Sequence, residues 1–284
     1  MTYKTIVLHN TLEAIELTFG DDTATITLQG AQVISYQQGG KERLWLSPKA
    51  HFEPGKPIRG GIPICWPWFG NHSSDPSKPA HGFVRVNDWI LEEVIDTKES
   101  VSAVFRYDNP ADCELYPHAC SAKLIVTLTD RLTVTLQTTN HDTRPISITQ
   151  ALHTYLPVSD LEHANIEGLE GTDYADKLKQ FEQAQERRVH VNVSEPTDRV
   201  YFDSSPELTL VDQNLTTIVG KQNSNTTIIW NPGRDTADTM ADISADHYRG
   251  FICIEAANAL SDEVRVEPNT SYELVQTLNF TDRS

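Results

Sequence analysis

The chain has 284 residues, 38% of them hydrophobic and 22% charged, with a formal net charge of −17 at pH 7. That is enough chain to bury a large core without disulfides or metals, and its strong negative charge argues against nucleic acid or anionic membranes as partners. A phosphorylated metabolite is also repelled at long range, so an anionic substrate needs a local cationic pocket.

In chain order, short alternating runs dominate. The segments "AIELTFG" (14–20) and "ATITLQG" (24–30), separated by Asp21-Asp22-Thr23, predict a hairpin. The stiff segment "IRGGIPICWPWFG" (58–70) follows, with two tryptophans, a phenylalanine and two prolines beside Gly60-Gly61 and Arg59. Arginine suits phosphate oxygens, and glycines let a backbone approach a ligand. Residues 70–82, "GNHSSDPSKPAHG", read as a loop. "HGFVR" (81–85) then presents His81 and Arg85.

The run 122–140 alternates on both sides of Asp130-Arg131, predicting a second hairpin. In "ITQALHTYLPV" (148–158) Ala151, His153 and Tyr155 share one face of a predicted interior strand, with Leu152 and Leu156 on the other. His153 is its polar exception. It is either a hydrogen-bonded core histidine or an acid–base group, since imidazole titrates near neutrality.

Residues 176–188, "DKLKQFEQAQERR", are polar on nearly every face and predict a solvated helix or a loop. "VYFDSS" (200–205) carries Asp203, and "WNPG" (230–233) ends a predicted strand with Asn231 exposed to one side. Further strands are predicted at 205–211, 226–230, 251–256, 263–267 and 271–280, rich in Thr, Val and Ile. A short helix is predicted at 235–244. In "FICIEAAN" (251–258) Phe251, Cys253 and Glu255 point one way, and Ile252 and Ile254 the other. A carboxylate among such neighbours is either paired or borders a cleft, because burying it alone costs several kcal/mol, on the order of a whole ion pair.

Many strands and few helices predict an all-β protein, a large antiparallel β-sandwich, with residues 1–284 forming one domain. The segment "MTYKTIVLHN" (1–10) has no continuous apolar run of signal-peptide length, and no stretch approaches the roughly 20 apolar residues of a membrane span. The four cysteines match no zinc or redox spacing and are expected as reduced, buried thiols. No phosphate-binding loop, dinucleotide fingerprint, nucleophile elbow or HExxH motif is present. Cofactor-free acid–base chemistry or simple binding remains.

Five ordered motifs, "RGGIPICWPWFG", "HGFVR", "ALHTYL", "WNPG" and "ICIEAAN", together resemble the D-hexose-6-phosphate mutarotases, or glucose-6-phosphate 1-epimerases, within the aldose 1-epimerase superfamily. The resemblance runs from about residue 20 to about 280 and implies the galactose mutarotase-like sandwich. It implies Glu255 as general base and His153 as general acid. It implies that His81 and Asp203 hold sugar hydroxyls or orient the ring, with Arg59 and Arg85 near the phosphate. Trp68 and Phe69 are candidates for a flat surface under the pyranose, and Asn231 is a further substrate-binding candidate. This chain has Gly233 where some members carry a large aromatic, and residues 172–190 do not align.

The implied activity is interconversion of α and β hexose 6-phosphates, glucose 6-phosphate foremost, with no cofactor and no metal. The implied protein is a cytoplasmic monomer whose partner is a small sugar phosphate, not nucleic acid or membrane. Two alternatives stay open: an epimerase for unphosphorylated hexoses, and a non-catalytic carbohydrate-binding protein on the same scaffold.

Overall fold

The alternating runs pair as antiparallel strands in a computed structural model, which describes residues 2–244 and 246–283. Leu12–Phe19 and Asp22–Thr27 form the first predicted hairpin, within a five-stranded N-terminal sheet. Cys120–Leu128 and Leu132–Asn140 form the second, with Leu132 opposite Leu128 across the Asp130-Arg131 turn. That hairpin lies in a nine-stranded sheet, which also takes the C-terminal strand Ser271–Asp282. A separate eight-stranded sheet contains Thr197–Phe202, Thr226–Asn231, Phe251–Asn258 and Gln150–Leu152 as successive neighbours.

The large sheets share one core. Leu124, Val126, Leu136 and Leu274 of the nine-stranded sheet pack in one cluster with Tyr201, Ile229, Ile252 and Ile254 of the eight-stranded sheet. Leu17, Ile26 and Val33 join it from the N-terminal sheet. Each such side chain, fully withdrawn from water, contributes roughly 1.5–3 kcal/mol.

Strand alternation gives the eight-stranded sheet a second face of different character. Cys65, Ala151, Val200, Ile228 and Ala257 form a small apolar cluster there. Tyr155, Phe251 and Cys253 form another with Ala237 and Ile243. Glu255 points to this second face, as its alternation with Ile252 and Ile254 predicts.

The α-helix Gly233–Thr239 lies slightly ahead of its predicted position. Residues 176–188 are neither helix nor plain loop. A 3₁₀ turn, Lys177–Lys179, leads into the strand Glu182–Gln185, which pairs back onto Asp173–Asp176. A polar sequence suits this hairpin because Glu182–Gln185 is the exposed edge of its sheet. Cys65, Cys120 and Cys253 are buried, Cys113 is partly buried, and all four are free thiols.

Candidate active site

Glu255 lies on Phe251–Asn258, a strand buried along its whole length and paired on both sides. Its neighbour across the sheet is Ile228. The carboxyl group is 1% exposed, and Oε2 has no hydrogen-bond partner. Burial pushes this carboxyl well above its usual range; the Lys177 ammonium opposes the shift and the Asp198 carboxylate adds to it.

His153 occupies a break between two short strands, Gln150–Leu152 and Tyr155–Pro157, which both pair with the Glu255 strand. Its backbone N–H donates to the Pro63 carbonyl at 3.0 Å instead of joining that ladder. The imidazole stacks on Tyr155, with centroids 4.9 Å apart and planes at 14°, and meets Trp230 edge-on. Nε2 lies 3.4 Å from Glu255 Oε1, and Nδ1 has no partner. Burial, followed by the charges of His81, Arg59 and Arg85, pushes the imidazolium well below its usual range.

The distance admits an ion pair, but both protonation shifts favour the neutral forms. The 3.4 Å gap also exceeds the roughly 2.7–2.9 Å of a charge-assisted hydrogen bond. The two groups therefore face a common space with unspent donors and acceptors. One is a weakened acid and the other a weakened base.

That space is a cavity of about 260 Å³, bordered also by Arg59, Arg85, His81, Phe69, Lys177 and Asp198. Arg59 Nε donates to Asp242 at 3.0 Å and its terminal nitrogen donates to the Tyr155 hydroxyl at 2.9 Å. Arg85 donates to the Ala80 carbonyl and has no carboxylate partner among the described residues. Lys177 pairs with Asp198 at 2.9 Å and lies 5.4 Å from the centre of the Phe69 ring. Asp198 Oδ1 is buried and unpartnered.

His81 is held in the left-handed region at φ 66°, a conformation that costs energy outside glycine and concentrates at functional sites. Burial and the Arg85 charge push its imidazolium down to about 3. The Gly70 N–H donates to its Nδ1 at 3.3 Å, which assigns the ring proton of the neutral form to Nε2. Among the described residues no group of three or more His, Cys, Asp or Glu side chains is placed to hold a metal ion.

Of the residues singled out by sequence, His153, Glu255, Arg59, His81, Arg85 and Phe69 converge on this cavity. Three do not. Asn231 is 1% exposed, not open to one side; its amide donates to the Tyr248 and Phe251 carbonyls and its oxygen accepts from Gly233 N–H. Asp203 follows the strand Thr197–Phe202 and borders a separate groove with Phe202 and Ser261. The carboxylate that the same strand supplies to the cavity is Asp198, which pairs in register with Trp230. Trp68 donates from its indole to Pro79 O and borders a neighbouring cleft instead.

Gly60 and Gly61 bring the backbone against Leu46 and Val33, not against the cavity. At Gly233 a side chain would meet the Pro196 ring at 2.4 Å, so a large aromatic has no place there.

Sequence reasoning missed Lys177, Asp198, Tyr155, Trp230, Met240 and Asp242 as cavity residues. Tyr155 and Trp230 were within reach, because Tyr155 shares the predicted face of His153 and Trp230 directly precedes Asn231. Asp198 carried a fainter signal, a charge on the same strand face as Val200. Lys177 carried none, since it is one cation in a uniformly polar stretch.

A large antiparallel sandwich with an imidazole and a carboxyl group facing a cavity of sugar size is the architecture of a mutarotase-like epimerase. The chain belongs to the aldose 1-epimerase family, whose model, described as "Aldose 1-epimerase", matches residues 13–279. It is an isomerase that interconverts sugar anomers.

Among its relatives is a Cenchrus ciliaris protein named "Putative glucose-6-phosphate 1-epimerase", 34% identical over 88% of this chain and 78% of that protein. An Escherichia coli protein of the same name is 31% identical over 92% of this chain and 87% of its own length. The crystal structure of a Salmonella typhimurium protein described as a "putative mutarotase" superposes with a TM-score of 0.92 at 27% identity. That match covers 99% of this chain and 94% of the other.

Proposed function

We propose that the chain interconverts the α and β anomers of hexose 6-phosphates, with glucose 6-phosphate the preferred substrate. The observation that carries the chemistry is the 3.4 Å approach of His153 Nε2 to Glu255 Oε1 inside a cavity where both keep an unpartnered atom. The pair carries one proton, which rests on Glu255 and passes to His153 across the 3.4 Å gap in the reactive form; Glu255, as carboxylate, then takes the proton from the C1 hydroxyl while His153, as imidazolium, protonates the ring oxygen. The C1–O5 bond breaks, giving the free aldehyde with its electron pair on O5 as a hydroxyl. Rotation about C1–C2 turns the other carbonyl face toward O5. Reclosure returns both protons and yields the opposite anomer.

Each group must act as acid and then as base. Burial raises the Glu255 carboxyl, which makes its carboxylate a stronger base, and lowers the His153 imidazolium, which makes it a stronger acid. The unpartnered Asp198 oxygen and the Nε2 donor of His81 suit sugar hydroxyls, and Phe69 offers a flat apolar surface for the C–H face of the ring. Arg85 and Arg59 bind the phosphate in this reading, with Arg85 the freer of the two. The relatives' names support a phosphorylated substrate, and the acidic surface supports a diffusible sugar rather than nucleic acid or an anionic membrane.

One observation favours the alternative of an unphosphorylated hexose: Arg59 is already engaged by Asp242 and Tyr155. Exchange NMR between anomers separates the two readings. Arg85→Ala and Arg59→Ala are expected to lower kcat/KM for glucose 6-phosphate by about tenfold or more, consistent with about 1.5–3 kcal/mol for a hydrogen bond to a charged group, and to leave glucose nearly unchanged. Equal losses on both sugars would favour the unphosphorylated substrate.

A further inference from the structure

The two short strands that flank His153 keep one register against Phe251–Asn258. Leu152 lies opposite Ala256 on one side of the break, and Tyr155 opposite Cys253 on the other. Two residues separate these pairs on each strand, so His153 falls opposite Glu255 and Thr154 opposite Ile254. In a regular antiparallel ladder a hydrogen-bonded pair exchanges both of its backbone bonds. Thr154 and Ile254 make only one: the Ile254 N–H donates to the Thr154 carbonyl at 3.2 Å. The Thr154 N–H turns back to the Leu152 carbonyl at 2.9 Å, which leaves the Ile254 carbonyl without its ladder partner.

Gln276 supplies that partner from the other large sheet. It lies on Ser271–Asp282, in an inward row whose other members, Leu274, Leu278 and Phe280, belong to the apolar core. Gln276 Nε2 donates to the Ile254 carbonyl at 3.0 Å, and its Oε1 accepts from the Thr154 hydroxyl. Both side chains are buried. An amide in such a row costs energy unless its hydrogen bonds are made, and both of these partners lie in the break. One adjoins Glu255 in sequence and the other adjoins His153. A leucine would fill the row but would leave the Ile254 carbonyl unpaired in the core.

We infer that Gln276 is a positioning residue for anomer interconversion: by bridging the Thr154 hydroxyl and the Ile254 carbonyl, it fixes the break at which the His153 imidazole meets the Glu255 carboxyl. The inference rests on the epimerase reading of that pair. Gln276 does not border the catalytic cavity. It acts through the backbone beside the two reacting groups, so its loss changes the geometry of the pair and not the binding of the sugar. Displacing a reacting group by about 1 Å is enough to cost on the order of a hundredfold in rate.

The test uses the full chain, with exchange NMR of glucose 6-phosphate over a range of concentrations. Gln276→Met keeps the length of the side chain and removes its amide. It is expected to lower kcat by about ten- to a hundredfold and to leave KM within about twofold, the pattern of a group misplaced for the chemical step alone. Thr154→Val is expected to lower kcat in the same way. Thr154→Ser keeps the hydroxyl and is expected to hold kcat within about twofold of the parent. The double variant Gln276→Met with Thr154→Val is expected to be no slower than Gln276→Met alone, because both changes break one bridge.

Thr154→Val leaves the bond from Gln276 to the Ile254 carbonyl in place, so it carries the test if Gln276→Met does not fold. The His153 imidazole signals in long-range proton–nitrogen NMR report the same geometry without turnover, and they are expected to move in both single variants. Moved signals in a chain that shows no catalysed exchange even as the parent would retire the epimerase reading alone. Parental kcat in the folded variants would overturn the positioning role, as would unmoved His153 signals or losses that fall on KM instead of kcat.

Discussion

Glu255 is harder to ionise in the folded protein than in the unfolded chain, where it titrates near 4.5. Between that value and its raised native value, the native state holds a proton that the unfolded state has lost. Stability therefore falls as pH rises through this window, by up to about 1.4 kcal/mol per pH unit. Glu255→Gln removes the dependence while keeping the shape. Urea titrations are expected to find the variant more stable than the parent at about pH 7, with the difference shrinking toward about pH 4, where the unfolded carboxyl is also protonated. A variant less stable at neutral pH would show that the carboxylate is instead well compensated. At this scale the sequence was informative wherever a polar side chain broke an apolar alternation, as at His153 and Glu255. It was silent at Lys177, because a lysine among polar neighbours carries no sign of the Asp198 and Phe69 contacts that folding creates.

The hairpins were legible because a period of two and a turn signal are local properties of the chain. The path of "WPWFG" was less so, since it depends on contacts distant in sequence. Trp66 is fully buried and donates its indole N–H to Thr138 Oγ1, so it belongs to the core. Phe69, three residues on, borders the catalytic cavity. The segment is fixed to "HGFVR" by a bridge between Trp66 and Gly82. A side chain at Gly82 would lie 1.8 Å from the Trp66 carbonyl oxygen, and its φ is 71°. Gly82→Ala must therefore separate the two segments and displace the adjacent His81. It is expected to cost about 3 kcal/mol or more in urea unfolding, the range of strained special-φ positions combined with overpacking. A cost below about 1 kcal/mol, small on the same scale, would mean that this junction yields easily. Asp203 was misplaced for a related reason. The family resemblance suggested it, whereas strand register decides that Asp198 faces the cavity.

Across the whole molecule, the site is assembled from segments between residues 57 and 255, brought together on one face of the eight-stranded sheet. The strand content and the sandwich class were readable from alternation alone. The meeting of His153 with Glu255 was not, because about a hundred residues separate them; only the ordered motifs of a known family implied it. Register supplies the physical cause, since both short strands flanking His153 pair with the strand that carries Glu255. A surface of charge −17 surrounds a cavity bordered by Arg59, Arg85 and Lys177, so attraction for an anionic sugar is confined to the site itself.

Anomer exchange of glucose 6-phosphate followed by NMR tests the role of that imidazole–carboxyl pair directly. The parent chain is expected to accelerate exchange well beyond the uncatalysed rate. Folded Glu255→Gln and His153→Asn are each expected to lose at least about a hundredfold, the lower bound typical of a positioned acid–base group. Near-parental exchange in either folded variant would contradict the account.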